Sequence, residues 1–254
     1  MLLRSLFAPS IFPNKAEAGL VREFLGKEPG IFIEVGANDP VRGSQSWALE
    51  QEGWSGLLVE PLAEKAKELR ARRRAIVEEV ACGPPELHGT FARLHVRDTL
   101  STLAVERGDA GIVFDGERDV PVRTLDSLTE KAGIEHVDFL SIDVEGYEAE
   151  VIKGATLSRM RPRLILVEDK ARHFDLNRLL VKAGYKRVRR TGVNSWYVPR
   201  SVPFPVPVFG RLQMLRKYYL AVPMHRMRDG LRRLGLGRRK RSRGQKAGAP
   251  SAGR

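Results

Sequence analysis

Five apolar runs, 31–35, 56–60, 75–81, 137–142 and 163–168, punctuate the chain. Between them, apolar residues recur at intervals of three and four. Runs that are apolar throughout are what strands covered on both faces require, and the wider spacing is that of helices with one buried face. The first helix is expected over 14–26, where Ala18, Val21, Phe24 and Leu25 share a face before Pro29 and Gly30 end it. Others are expected at 44–51, 62–74 (Leu62, Ala66 and Leu69 inward), 125–132, 147–157 and 172–183. A short strand at 120–123 and a closing hairpin, 185–190 with 194–198, complete the list. The alternation predicts an α/β fold, with a mostly parallel sheet, helices on both faces and an antiparallel C-terminal edge strand. Residues 83–120 break the rhythm, being rich in Gly, Asp and Pro, and read as an insertion with a strand at 90–96.

Past Pro199 the pattern changes. Val202 to Val208 alternates proline with apolar residues, as an extended linker does. Helical spacing returns over 210–222 and 224–234, and 235–254 is small, basic and expected to be disordered. Three segments follow: an arm at 1–13, a folded domain at 14–199 and a tail at 200–254.

Two runs end in chemistry. The first closes as Glu34-Val35-Gly36-Ala37-Asn38, and the second as Val59-Glu60, 24 residues after Gly36. Gly36 permits a sharp turn, Ala37 and Asn38 leave room for a ligand against the backbone, and Glu60 is placed to accept from both hydroxyls of a ribose. A lone glycine is too few to cradle a pyrophosphate. The pattern therefore points from dinucleotides toward a single nucleoside, such as S-adenosylmethionine. Each element taken alone is also what a plain buried strand and turn would show. Val137 to Gly146 is a further apolar strand, delivering Asp143 and Glu145 at its carboxyl end, where ligands bind in open α/β sheets. Asp143 could equally cap the helix that follows. Cys82 closes the third run, near where an adenine would lie.

Charge redistributes the emphasis. The formal net charge is +13, yet residues 1–199 hold 29 Lys and Arg against 30 Asp and Glu, whereas 200–254 hold 15 against one acid, Asp229. The high pI thus says nothing about the folded domain, and argues little for nucleic acid at its site. With Cys82 as the sole cysteine, no internal disulfide can form and a reducing compartment is favoured. Arg4 interrupts the only N-terminal apolar stretch, and no run nears the ~18 residues of a membrane span. A cytoplasmic protein is expected.

The three elements in this order resemble the FkbM family of S-adenosylmethionine-dependent methyltransferases. The resemblance covers about 14–198. It is carried by Val35 to Asp39, Gly53 to Pro61, Val120 to Leu128, Ser141 to Glu148 with Val151 to Gly154, Pro162 to Glu168, and Gly184-Tyr185. One position departs from it: Pro40 stands where the family usually has glycine, and a proline is tolerated in a first helical turn. The resemblance implies a Rossmann-like class I methyltransferase fold and methyl transfer to a hydroxyl, commonly of a sugar or secondary metabolite. Glu34, Gly36, Ala37, Asn38, Glu60 and Cys82 would then face S-adenosylmethionine. Asp143 is the candidate base, with Glu145, Glu168 and His173 gathered at the same sheet edge. That group could instead hold a divalent metal, and His173 could be a solvated residue at a helix start. Trp47 and Trp54 could stack on a sugar, although core packing suits Trp54 better. His88, His95, His136 and His225 suggest surface or packing roles.

Two other functions stay open at this stage. One is a nucleic-acid methyltransferase recruited by the tail, against which no Asn-Pro-Pro-Tyr-type signature follows the fourth run. The other is a cofactor fold retained as a binding module. The tail itself has three readings: a solvated segment, a peripheral contact with an anionic membrane at its inner face, or a nucleic-acid contact.

Overall fold

The computed structural model describes residues 14–96, 101–103, 115–169, 174–204, 206, 212 and 215. The elements bearing on the site begin with helix α1 (Asn14–Leu25), strand β1 (Ile31–Val35), α2 (Trp47–Gln51), β2 (Ser55–Val59), α3 (Ala63–Arg72) and β3 (Ile76–Glu78). After these come β4 (Ala81–Cys82), β5 (Phe91–Val96), β6 (Gly116–Arg123) and α4 (Leu125–Lys131). The last part holds β7 (Phe139–Ile142), α5 (Glu148–Lys153), α6 (Leu157–Met160), β8 (Leu164–Glu168), α7 (Phe174–Lys182), β9 (Tyr185–Thr191) and β10 (Asn194–Pro199).

The apolar runs become the middle of a seven-stranded sheet in the order β3-β2-β1-β7-β8-β10-β9. The neighbours from β3 through β8 pair in parallel. Successive side chains point to opposite faces, so each strand feeds two cores. Ile33, Val35, Leu57, Leu140 and Ile165 join Leu125, Leu128, Val151, Met160 and Leu180 of α4 to α7. Phe32, Leu58, Phe139, Leu164 and Trp196 join Val21, Leu25, Leu49 and Leu69 of α1 to α3. Helices therefore cover both faces, as the sequence predicts. The antiparallel C-terminal strand is also present. β10 runs antiparallel to β8 and to β9, so the hairpin seats it one place in from the edge and leaves β9 outermost.

Four local differences from the expected elements have physical causes. The run 75–81 is two strands, because after Glu78 the chain leaves the large sheet and Ala81–Cys82 pairs with Val122 and Arg123 in a second sheet, β4-β6-β5. β6 starts at Gly116 rather than at residue 120. Its first half is polar and exposed, and Arg93 holds it from β5 through Glu117 at 3.3 Å and Asp119 at 3.2 Å. The helix expected over 147–157 breaks into α5 and α6 at Gly154, where a Cβ would lie 2.2 Å from the Gly83 carbonyl oxygen. The helix expected from residue 44 begins at Trp47, since the Ser44 and Ser46 hydroxyls are occupied with Glu34.

Beyond Pro199 the chain first packs on the domain. Val202, Phe204 and Val206 lie against the α1 side of the core, and the Phe204 ring is 5.6 Å from that of Phe24. The arm 1–13, the remainder of the tail apart from Leu212 and Leu215, and His173 lie outside the described residues. Among the described residues, no helix is long and apolar enough to cross a membrane.

Candidate active site

At the carboxyl ends of β2, β1 and β7 lies a cavity of about 280 Å³. Gly36 is its hinge. Its φ of +83° suits glycine, and a Cβ there would stand 1.9 Å from the Asp143 carbonyl oxygen. The glycine anticipated for a turn is thus needed a second time, to let the ends of β1 and β7 meet. The Gly36 and Ala37 N–H groups both donate to the Val59 carbonyl, at 2.9 and 3.2 Å, tying β1 to β2. Asn38 takes a left-handed φ of 46°, which a short polar side chain tolerates, and its N–H donates to Glu60 at 2.9 Å.

Glu60 is 5% exposed and lines the cavity. One carboxylate oxygen accepts from the Asn38 N–H and the other from the Leu62 N–H, both at 2.9 Å. Burial pushes its pKa above the ordinary 4.5, and those two backbone donors oppose the rise. An ionised carboxylate has more lone pairs than these bonds use. The lone pairs left over could accept from a pair of ribose hydroxyls.

Cys82 also lines the cavity, and burial pushes its thiol up to about 12, so it has the character of a small apolar wall. Glu34, the acid at the end of β1, has a second task. It borders the cavity, but its carboxylate accepts from the Ser44 hydroxyl at 2.8 Å, the Gln45 N–H at 2.8 Å and the Ser46 hydroxyl at 2.5 Å. Its oxygens serve the loop that walls the cavity.

Across from Glu60, the turn after β7 brings Asp143 and Glu145 together. Asp143 is exposed, Glu145 is half-buried, and with buried Glu168 they offer carboxylate oxygens that lie within 4.8 Å of one another. Such oxygens could share a divalent cation, whose ligands sit at roughly 2.0–2.6 Å from the ion. Glu145 takes a φ of 54° and Gly146 one of 104°. The turn is held by Glu148, which accepts from the Gly146 N–H at 2.9 Å and the Val144 N–H at 3.4 Å. A capping role for Asp143 is not what the structure records, since α5 begins at Glu148 without a side-chain cap bond.

Several cavity residues escaped the sequence reading. Thr102, from the insertion, lines the cavity and donates its hydroxyl to the Glu145 carbonyl at 2.9 Å. Asn194, at the tip of the closing hairpin, lines it and donates to buried Glu17 at 2.8 Å. Gln45 lines it and donates to the same carboxylate at 3.1 Å. Tyr147, by contrast, lines it from inside a recognised segment. Neither tryptophan is part of the wall: Trp54 is in the core, and Trp47 lies 5.6 Å from the Arg73 guanidinium. His88, His95 and His136 are likewise outside it. Among the described residues, the cavity is bordered by four acids, Glu34, Glu60, Asp143 and Glu145, and one cation, Arg42.

The sequence profile of the methyltransferase FkbM domain matches residues 34–187. Over 55 residues the chain is 38% identical to 2-O-methyltransferase NoeI of Sinorhizobium fredii, a stretch that spans 22% of this chain and 23% of that relative. Methyltransferase FkbM from Methylobacillus flagellatus KT is similar in structure, with 17% identity and a TM-score of 0.43, over 67% of this chain and 43% of that one. A methyltransferase-like protein from Silicibacter pomeroyi DSS-3 gives 16% and 0.44, over 82% and 96%.

Proposed function

This chain belongs to the methyltransferase FkbM domain family, and on that premise we propose that it is an S-adenosylmethionine-dependent O-methyltransferase acting on a hydroxyl of a sugar, glycan or similar small metabolite. One observation carries the reading. Buried Glu60 and exposed Asp143 follow the two strands that flank β1, and both line the same cavity. Glu60 is suited to the ribose, Gly36 to Asn38 to the close approach of the nucleoside, and Cys82 to a wall beside the adenine. The cofactor, when bound, supplies an electrophilic methyl group on a sulfonium.

The chain's own part is to align the acceptor and remove its proton. A hydroxyl is a poor nucleophile, and Asp143, open to the cavity, is the group assigned to take that proton. With the cofactor bound, the new C–O bond would form as the methyl C–S bond breaks and the sulfur leaves as a neutral thioether, and the base would contribute on the order of 10²–10⁴ in rate. Glu145 borders the same space. A polyhydroxylated acceptor is supported by the polar wall of Gln45, Thr102 and Asn194 beside these carboxylates. The 2-O-methyltransferase named among the relatives agrees with it. A nucleic-acid acceptor is disfavoured by the excess of acids over cations, four to one among the described residues, that border the cavity and repel a phosphate backbone. The proposal sets the enzyme in the cytoplasm, with the basic segment 200–254 contacting the inner face of an anionic membrane.

Calorimetry tests the core of the reading. S-adenosylmethionine should bind, and Glu60→Ala should weaken it; a wild-type chain that binds none sinks it. With isotope-labelled cofactor, label should appear on sugar oxygens and not on RNA or DNA. The full chain should sediment with anionic vesicles and not with neutral ones.

A further inference from the structure

Outside the cavity, the Arg73 side chain is engaged on every side. It sits just past the end of α3, far from residues 38–46 in sequence, and its side chain is 0% exposed. Its Nε donates to Glu50 at 2.8 Å, one Nη to the Pro40 carbonyl at 3.2 Å and the Ser44 hydroxyl at 3.1 Å, and the other Nη to the Ser46 hydroxyl at 2.8 Å. The guanidinium also lies 5.6 Å from the Trp47 ring centroid and 5.9 Å from that of Phe32. Buried charge is tolerated only when paired and fully hydrogen-bonded. Glu50 meets that condition from its side, accepting from Arg73 and from the Arg74 and Ala75 N–H groups at 3.0 and 2.8 Å.

The other face of this cluster is the loop. Ser44 and Ser46 accept from Arg73 and donate to Glu34, so each hydroxyl is used in both directions. The guanidinium thus reaches Glu34, and through it the end of β1. Between these anchors, Ala37, Asn38, Arg42, Gly43 and Gln45 line the cavity. Pro40 is buried, and its carbonyl needs a partner that water cannot reach. Arg73 supplies one.

We propose that Arg73 is the positioning residue that holds the 38–46 loop, Pro40 included, in its ligand-ready shape, so that cofactor affinity depends on a side chain that lines no part of the cavity. This rests on the reading of that cavity as the S-adenosylmethionine site. A planar fork can serve four acceptors at once, whereas a lysine is a point charge on a flexible stem. Arg73→Lys keeps the pairing with Glu50 and lets the loop fluctuate. Pre-organisation lost in this way appears as affinity, while Asp143, on another strand, keeps its geometry.

Two measurements on the full-length protein decide it. In Arg73→Lys, KM and Kd for S-adenosylmethionine should rise roughly ten-fold, with kcat at saturation within about two-fold of wild type. Ser46→Ala, a milder change that leaves the ion pair intact, should move the same way by a few-fold. Without cofactor, hydrogen exchange at the Gln45 and Trp47 amides, which donate to Glu34 and Ser44, should quicken in both variants while β1 and β7 stay protected. Unchanged exchange at those two amides, or kcat falling in step with affinity while exchange rises everywhere, overturns the proposal. If the wild type binds no S-adenosylmethionine, the cofactor reading falls, and exchange at Gln45 and Trp47 alone then decides whether Arg73 holds the loop.

Discussion

On the side of the cavity proposed for the cofactor, Glu60 is buried, each of its oxygens accepts a backbone N–H, and the loop beside it is tied down by Glu34 and Arg73. On the side proposed for the acceptor, Asp143 is exposed, Glu145 is half-buried, and Thr102 and Asn194 arrive from the insertion and from the hairpin tip. The first side is fixed by backbone N–H groups and by buried side chains that hydrogen-bond one another. The second draws its side chains from the turn after β7, the insertion and the hairpin tip. On the proposed function, one wall suits a single cofactor and the other a variable acceptor, in keeping with binding residues carried on loops over a rigid scaffold.

The largest effect should come from breaking the point where the two sides touch. Gly36→Ala puts a Cβ against the Asp143 carbonyl at a φ no alanine favours, and unfolding by urea should show a loss upwards of ~3 kcal/mol. A fully stable Gly36→Ala chain would mean that β1 and β7 are not packed this closely. Next, Asp143→Asn should lower kcat by about 10²–10⁴ while leaving S-adenosylmethionine affinity within two-fold or so. Full turnover in that variant would remove Asp143 from its role. Loss of wild-type turnover in a chelator, restored by Mg²⁺, would transfer activation of the hydroxyl to a cation held by the three carboxylates.

A pH series separates stability from cofactor affinity by sign. Burial raises the pKa of Glu60 and Glu17 above 4.5 in the folded chain. A raised folded pKa contributes stability that is fully present below 4.5 and is lost as pH rises through the raised value. Unfolding free energy should therefore decline over that window, and less so in Glu17→Gln and Glu60→Gln. Binding of the ribose hydroxyls needs the carboxylate ionised, so cofactor affinity should rise over the same window. Parallel trends in stability and affinity would contradict Glu60 as the ribose acceptor. The smallest effect is expected from Thr102→Val, which removes one hydrogen bond of about 1 kcal/mol. It should raise KM for the acceptor a few-fold and leave that for the cofactor unchanged; the reverse pattern would assign Thr102 to the other wall.

How much of this was legible in the chain depends on the reach of each interaction. Gly36, Asn38 and Glu60 belong to one strand–helix–strand unit, and short-range signals (apolar runs, a glycine turn, an acid at a strand tip) identified them. Asp143 and Glu145 were legible for the same reason. Stacking on a sugar is open to Trp47 from the sequence, and in the structure it packs beside Arg73, because no local pattern announces a guanidinium arriving from the far end of α3. Glu34 looked like a cofactor ligand from its place at the end of β1, and became an anchor once Ser44 and Ser46 folded back over it.

By itself the sequence determined that the sheet is mostly parallel, that helices cover both faces, and which three strand ends carry the candidate residues. Hydrophobic periodicity and turn residues act over a few positions, and the rules for connecting parallel strands leave few ways to assemble them. Only the tertiary structure decided that Glu34 holds a loop as well as bordering the cavity, that Gly36 is needed by β7 as well as by its own turn, and that Thr102 and Asn194 line the cavity while Arg73 binds the loop beside it. Those outcomes depend on which side chains meet after the chain has closed on itself. In a close-packed interior, a contact spanning many residues is set by the shape of everything between its partners.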